Sequence, residues 1–344
     1  MNHQASPNLR RIDPAEIRDA GPAGFAQTVT ADCQPVLLPG LCRHWPAVEA
    51  SGRGWEALSA YLAGFDTGRS GQAFIGAPAI AGRYDYGDGP DGFNFERLSL
   101  TLVQVLERIG EAAADPGLAS VYMGSLPADD YAPRFADDNS IDVLPPLARP
   151  RLWLGNASRV ACHYDTFDNL ACVVAGRRRF TLYPPDAIGD LYVGPIDHTL
   201  AGQPTSLAAG AAPGDMRYPR FAAAAPRAIV IELAPGDGLY IPKLWWHQVE
   251  ALEPANLLVN YWWDAFAAGP DAPYVTMMLA MIAIAERPTA ERLAWRAFFD
   301  HYVFRPQGHP LAHLPAERHG LLGPLAAGNY GRIRALVMKM LRGG

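Results

Sequence analysis

The sequence predicts a mainly β fold with flanking helices. Three observations carry that expectation. Apolar residues alternate with a period of two between Arg151 and about Trp263, helical periods flank that stretch, and no repeat of roughly 20–50 residues is present, which excludes solenoids and propellers. Of the 344 residues 49% are hydrophobic, enough for a sizeable core and too many for a disordered chain.

Up to about residue 150 the pattern mixes short helices and loops. Thr101–Ala114 is the clearest helix, with Leu102, Leu106 and Ile109 along one face. Glycine and proline crowd Gly76–Gly92, which predicts loop with at most short strands. Then the period changes. Candidate strands are Arg151–Leu154, His163–Ala175, Arg178–Tyr183, Ala228–Leu233, Gly238–Ile241, His247–Leu252 and Leu257–Trp263. Turn residues separate most of them: Gly176, Pro184-Pro185, Pro235 to Gly238 and Glu253-Pro254. Ala201–Pro226 is an Ala/Gly/Pro-rich insertion, and long loops of that kind inside a domain are often functional lids. Beyond it, Tyr274–Arg287 is apolar nearly all round, and Ile333, Leu336, Val337, Met340 and Leu341 form an apolar helical stripe. Packing within the chain and a helical dimer interface both account for such surfaces.

Lys and Arg total 29 against 35 Asp and Glu, a net charge of −6, so a dedicated nucleic-acid binder is not expected. Cys33, Cys42, Cys162 and Cys172 lack a C-x-x-C spacing and read as reduced thiols. The stretch Met1–Ile12 is polar, unlike a signal peptide, and the longest apolar run, Met277–Ala285, falls far short of the ~18 residues that span a bilayer. A cytoplasmic protein without membrane contact is the expectation.

The chemistry concentrates at His163-Tyr164-Asp165. On a strand, positions i and i+2 share a face, so an imidazole and a carboxylate point one way together. His247, just after the Pro235–Gly238 turn, is the candidate second imidazole. Two histidines and one carboxylate leave coordination positions open, a set that suits non-haem Fe(II) and oxygen chemistry. The H-x-D pattern also arises by chance, and the other histidines sit in polar or loop-like contexts, with His198 near enough to the strands to be kept as a candidate.

Parity extends the site. If His163–Ala175 is one continuous strand, His163, Asp165, Phe167, Asn169, Ala171 and Val173 share a face. On the next strand Phe180 and Leu182 mark the inward face, which carries Arg178 inward and Arg177 and Arg179 outward. A buried guanidinium requires an anion, most simply a carboxylate; a register slipped by one residue would instead put Arg178 in solvent. Asn260 sits among Leu258 and Trp262, and for Asn169 and Asn260 alike a structural hydrogen bond and a site role are both open. No G-x-S-x-G is present, so a serine hydrolase is not indicated.

Taken together, His163-Tyr164-Asp165, Asn169, Ala175-Gly176 through Phe180 to Pro184-Pro185, Pro235-Gly236-Asp237-Gly238 through Pro242, Trp245-Trp246-His247 and Asn260-Tyr261-Trp262 resemble the cupin-like subgroup of the JmjC superfamily, which includes asparaginyl hydroxylases. The resemblance runs from about Gln34 to Trp263. It implies a double-stranded β-helix, or jelly-roll, core at 121–265 with an N-terminal region 1–120 packed on that barrel; the C-terminal helical region 266–344, with its apolar stripe, is the candidate homodimer surface. It implies Fe(II) held by His163, Asp165 and His247, 2-oxoglutarate as cosubstrate and O2 as oxidant. Tyr122, Asn169, Arg178, Asn260 and Trp262 match cosubstrate- and iron-site positions. The implied activity is hydroxylation of a protein side chain or a small molecule; lysine demethylation and a non-catalytic cupin that binds a metal or small acid are the competing classes. Two positions depart from the pattern: Val160 stands where Thr or Ser is usual, and Arg178 where Lys is common.

Overall fold

The period-two stretch forms antiparallel strands that belong to two sheets. The structure is a computed structural model that describes residues 9–85, 92–197, 199, 202–212, 214–266, 271–325 and 328–342. Most of Met1–Ile12, His198 and parts of the Gly76–Gly92 and Ala201–Pro226 loops lie outside the described residues.

The strands are β1 (Arg10–Arg11), β2 (Val36–Leu38), β3 (Gly71–Gly76), β4 (Arg83–Tyr84), β5 (Glu96–Leu100), β6 (Ser120–Pro127), β7 (Pro150–Gly155), β8 (Ser158–His163), β9 (Asp168–Ala175), β10 (Arg178–Tyr183), β11 (Ile229–Leu233), β12 (Gly238–Ile241), β13 (Trp246–Ala251) and β14 (Asn256–Trp263). The large sheet has the order β1-β2-β12-β9-β14-β7-β6-β3-β5, and the small one β11-β10-β13-β8-β4. Among the described residues only β1/β2 and β4/β8 pair in parallel. This is a jelly-roll core with flanking helices.

Strand β9 shows why the sheets stack. All eight of its residues are buried, because both of its faces are covered. Ala171 and Val173 join Phe180, Leu182, Ile231, Leu233 and Leu258 in a core between the two sheets. Leu170, Cys172 and Val174 face the other way, into a second core with Leu58 and Leu62 of the helix Trp55–Ala63 and Leu102, Val105 and Ile109 of the helix Leu102–Ala114. Thr101 caps that last helix: its side chain accepts from Gln104 N while the Gln104 side chain accepts from Thr101 N. Each large side chain so buried contributes about 1.5–3 kcal/mol.

Two differences from the sequence reading matter. His163 and Ala175 do not lie on one strand. β8 ends at His163 in the small sheet and β9 begins at Asp168 in the large one, so residues 164–167 are a crossover between sheets. Phe167, expected inside, is accordingly 51% exposed. The N-terminal stretch is also richer in strand than its Gly and Pro content predicts. β3, β5 and β6 extend the large sheet, where cross-strand pairing outweighs weak local propensity.

The chain divides into two compact units, Met1–Ala265 and Phe266–Gly344. The second unit contains the helices Pro273–Ile284, Thr289–Phe299 and Asn329–Leu341. Large apolar side chains on them are exposed, among them Met277, Ile282, Phe298, Leu336, Met340 and Leu341.

Candidate active site

The last residue of β8 and the second residue of β13 are cross-strand partners, which sets His163 directly opposite His247. Their rings lie 4.4 Å apart between centroids. His163 Nδ1 bonds the Ala161 carbonyl oxygen at 2.8 Å, and His247 Nδ1 bonds the Trp245 carbonyl oxygen at 2.9 Å. A carbonyl oxygen only accepts, so each Nδ1 carries a proton and each Nε2 is left as a lone-pair donor. Asp165 reaches the same point from the crossover rather than by strand alternation. Its backbone oxygen accepts from Leu244 N at 2.8 Å, which ties the crossover to the turn before His247. The Asp165 Oδ2 atom lies 3.6 Å from His247 Nε2. One ligand atom from each of the three residues falls within 4.8 Å of the others, a group able to hold a metal ion. Burial, followed by the unfavourable interaction that a second protonated imidazole would have with neighbouring His163, pushes the His247 pKa down to about 4 against the opposing pull of Asp165. The imidazole is therefore neutral, as a metal ligand must be.

These residues open on a cavity of about 550 Å³ that also receives Tyr122, Asn169, Arg178, Asn260 and Trp262. All eight residues singled out in the sequence thus line one space. Register explains the amides. Asn169 stands opposite Trp262, and Asn260 opposite Ala171, across β9 and β14. Trp153 Nε1 donates to Asn260 Oδ1 at 2.6 Å, and Asn260 Nδ2 donates to Asn169 Oδ1 at 3.1 Å. Asn260 therefore serves as a relay that orients Asn169 on the cavity wall. Trp262 stands edge-on to Trp153, with ring centroids 5.7 Å apart, and its buried Nε1 has no partner among the described residues.

Arg178 is 4% exposed. Its Nη2 donates to the Trp153 carbonyl oxygen at 3.3 Å, while its Nε has no partner among the described residues. Burial pushes its pKa down to about 10, with Tyr122 opposing, and the group stays a cation at neutral pH. Arg177 and Arg179 point outward, where they pair with Glu232, Glu250 and Glu253. Tyr122 is buried beside Arg178, and burial pushes its phenol well above its usual value, so it stays a neutral donor. Val160, Val249, Phe180 and Leu258 supply apolar surface to the same cavity.

Some lining residues were not visible in the sequence. Phe74, Phe95 and Arg97 come from β3 and the segment through β5, and Gln203 and Thr205 from the insertion. Thr205 forms a β-bridge with His163, and Ser206 N donates to the Cys162 carbonyl oxygen at 2.7 Å, which seats the insertion beside β8. Trp153 could have been found, because it shares the Arg151 face of β7, opposite to buried Leu152 and Leu154.

Comparison with known proteins agrees with this geometry. The chain is 32% identical to "Lysine-specific demethylase JMJ31" of Arabidopsis thaliana over 151 residues, 42% of this chain and 25% of that protein. It is 30% identical to human "HSPB1-associated protein 1" over 149 residues, 42% of this chain and 30% of that protein. It thus spans less than a third of the length of either. Similarity to human "Bifunctional peptidase and (3S)-lysyl hydroxylase JMJD7" is broader, 26% identity over 279 residues that cover 71% of this chain and 81% of that one. A family model described as "Cupin-like domain" matches residues 22–269, which include every strand from β2 to β14 and every residue of the cavity described above. With a jelly-roll core, a His–Asp–His group and JmjC relatives, the chain belongs to the cupin-like JmjC family.

Proposed function

We propose that the protein is an Fe(II)- and 2-oxoglutarate-dependent oxygenase that hydroxylates a protein side chain or a small molecule. The observation that carries this reading is Arg178, a buried guanidinium with no carboxylate partner among the described residues, in the same cavity as two histidines and an aspartate whose ligand atoms converge. A buried, unpaired cation is costly, and a dianionic cosubstrate supplies the missing charge.

The residues fit the group. His163, Asp165 and His247 would hold iron, a donor set of two imidazoles and one carboxylate that suits Fe(II) with open positions. Arg178 and Tyr122 would hold the distal carboxylate of 2-oxoglutarate, and Val160, Val249 and Leu258 would cover its methylenes. When bound, iron and 2-oxoglutarate supply the oxidising power that activates O2 toward a C–H bond. The chain itself orients and shields. The two Nδ1 bonds fix the imidazoles, the Trp153–Asn260–Asn169 relay fixes an amide on the wall, and the apolar lining excludes water.

Among the relatives, the names of two refer to lysine demethylation and lysyl hydroxylation, and a hydroxylase is the simpler reading here. A second reading, a cupin that binds a metal and a small acid without turnover, is favoured by Val160, which lines the cavity where a hydroxyl is usual. Anaerobic addition of Fe(II) and then 2-oxoglutarate separates the readings. A visible charge-transfer band followed by oxygen-dependent loss of 2-oxoglutarate supports the oxygenase; a band without consumption favours the second reading. We also propose that the exposed apolar helices of residues 266–344 form a homodimer interface. The net charge of −6 supports a partner other than nucleic acid; among the described residues no helix is long and apolar enough to cross a membrane.

A further inference from the structure

The cavity has a wall that the metal and cosubstrate readings leave without a task. Phe95 stacks on Phe74 with centroids 4.4 Å apart and on Phe93 at 5.2 Å, and Tyr84 meets Phe95 edge-on at 5.6 Å. Arg97 pairs with Phe74 across β5 and β3, so both side chains leave the sheet on one face. Its guanidinium lies 4.8 Å from the centroid of Phe93, 5.4 Å from that of Phe74 and 5.8 Å from that of Phe95. Arg97 is exposed, lines the cavity and has no ion pair among the described residues. Its planar head is held by rings and its donors are left for something else.

Charge settles what that is. Among the described residues, the cavity lining holds one carboxylate, Asp165, and two guanidinium groups, Arg97 and Arg178. The dication of iron and the charge of Arg178 are balanced by Asp165 and a cosubstrate dianion. Among the described residues Arg97 remains unbalanced. Residue Thr199 and the insertion residues Gln203 and Thr205 add only neutral groups to the lining. A lysine or methylated lysine side chain would meet a cation and, among the described residues, find no free carboxylate, whereas an acid would complete the balance.

We infer that the substrate carries a carboxylate beside an aromatic or apolar group, with the carboxylate on Arg97 and the flat group against Phe74 and Phe95. This rests on the oxygenase reading above. A free carboxylic acid and an acidic residue of a peptide share this chemistry.

The test uses Mn(II) in place of iron, with 2-oxoglutarate saturating, so that no turnover occurs and Arg178 is occupied. Phenylpropionate, phenylpropionamide and phenylpropylamine are titrated into the protein by calorimetry. The acid is expected to bind at least about tenfold more tightly than the amide, and the amine most weakly. Arg97→Gln should lower the acid to the affinity of the amide, Arg97→Lys should retain part of the preference, and Phe95→Ala should weaken acid and amide alike. Equal binding of acid and amide, a preference that survives Arg97→Gln, tighter binding of the amine, or no binding of any of the three overturns the inference. Within a positive result, tighter binding of a capped phenylalanyl-glutamate amide than of phenylpropionate assigns a peptide source, and the reverse a free acid. Failure of 2-oxoglutarate to bind the Mn(II) protein, measured first, would defeat the oxygenase reading instead.

Discussion

His163 and His247 face each other across neighbouring antiparallel strands, and each is turned by the same device, an Nδ1–H bond to the carbonyl oxygen two residues earlier. The pair presents two Nε2 lone pairs to one point, and Asp165 arrives there from the crossover. Holding both rings by backbone rather than side chains makes the site insensitive to surface substitutions and strongly dependent on the strand pairing.

Removal of any one ligand should abolish stoichiometric Fe(II) binding. His163→Ala, Asp165→Ala and His247→Ala are each expected to weaken affinity by at least about 100-fold while circular dichroism stays unchanged. Iron bound by Asp165→Ala as tightly as by the parent would contradict the triad.

The metal-free protein should lose stability in acid through His247. Its pKa is about 4 in the fold against 6.5 for a free imidazole, so between these values the unfolded chain binds more protons and stability falls as the pH falls. A lower melting temperature at pH 5 than at pH 7 is expected, with a smaller drop in His247→Phe. An equal drop in both proteins would place the effect elsewhere.

Much of this site was legible because it rests on parity. Arg178, Phe180 and Leu182 alternate with Arg177 and Arg179 as the sequence indicates, and β10 keeps the expected bounds. The crossover was not legible, since Tyr164–Phe167 carries no glycine or proline to mark a strand end. The aromatic wall was hidden for another reason. Phe74, Phe95 and Tyr84 are brought together by pairings between distant short strands, which local pattern does not encode.

Asn260 should matter to stability as well as to the site. Asn260→Ala leaves the Trp153 Nε1 donor without its acceptor and frees Asn169, at a cost of about 1–3 kcal/mol in chemical unfolding. Asn260→Asp keeps the acceptor for Trp153 and should recover part of the loss. No change in either variant would remove the relay from the account.

Gly124 guards the space beside Tyr122. A Cβ there would come within 2.8 Å of the Trp153 ring and 3.0 Å of the Tyr122 hydroxyl. Gly124→Val should therefore weaken 2-oxoglutarate binding by about tenfold or more with Fe(II) binding retained. Unchanged cosubstrate affinity would place the distal carboxylate elsewhere.

Light scattering tests the helical region. The full chain should run as a dimer at micromolar concentration, and a double change, Ile282→Glu with Met340→Glu, should give monomers. A monomeric parent would contradict the interface.

The central claim is that Arg178 is the cation for a dicarboxylate, and cosubstrate affinity across its strand tests it directly. With Fe(II) bound and oxygen excluded, 2-oxoglutarate is titrated into the parent and into Arg177→Ala, Arg178→Ala and Arg179→Ala. Arg178→Ala should lose about 2–4 kcal/mol of binding with iron retained, Arg178→Lys should recover part, and the outward-facing pair should change little. Equal losses from all three, or a loss confined to Arg177 and Arg179, would contradict the account.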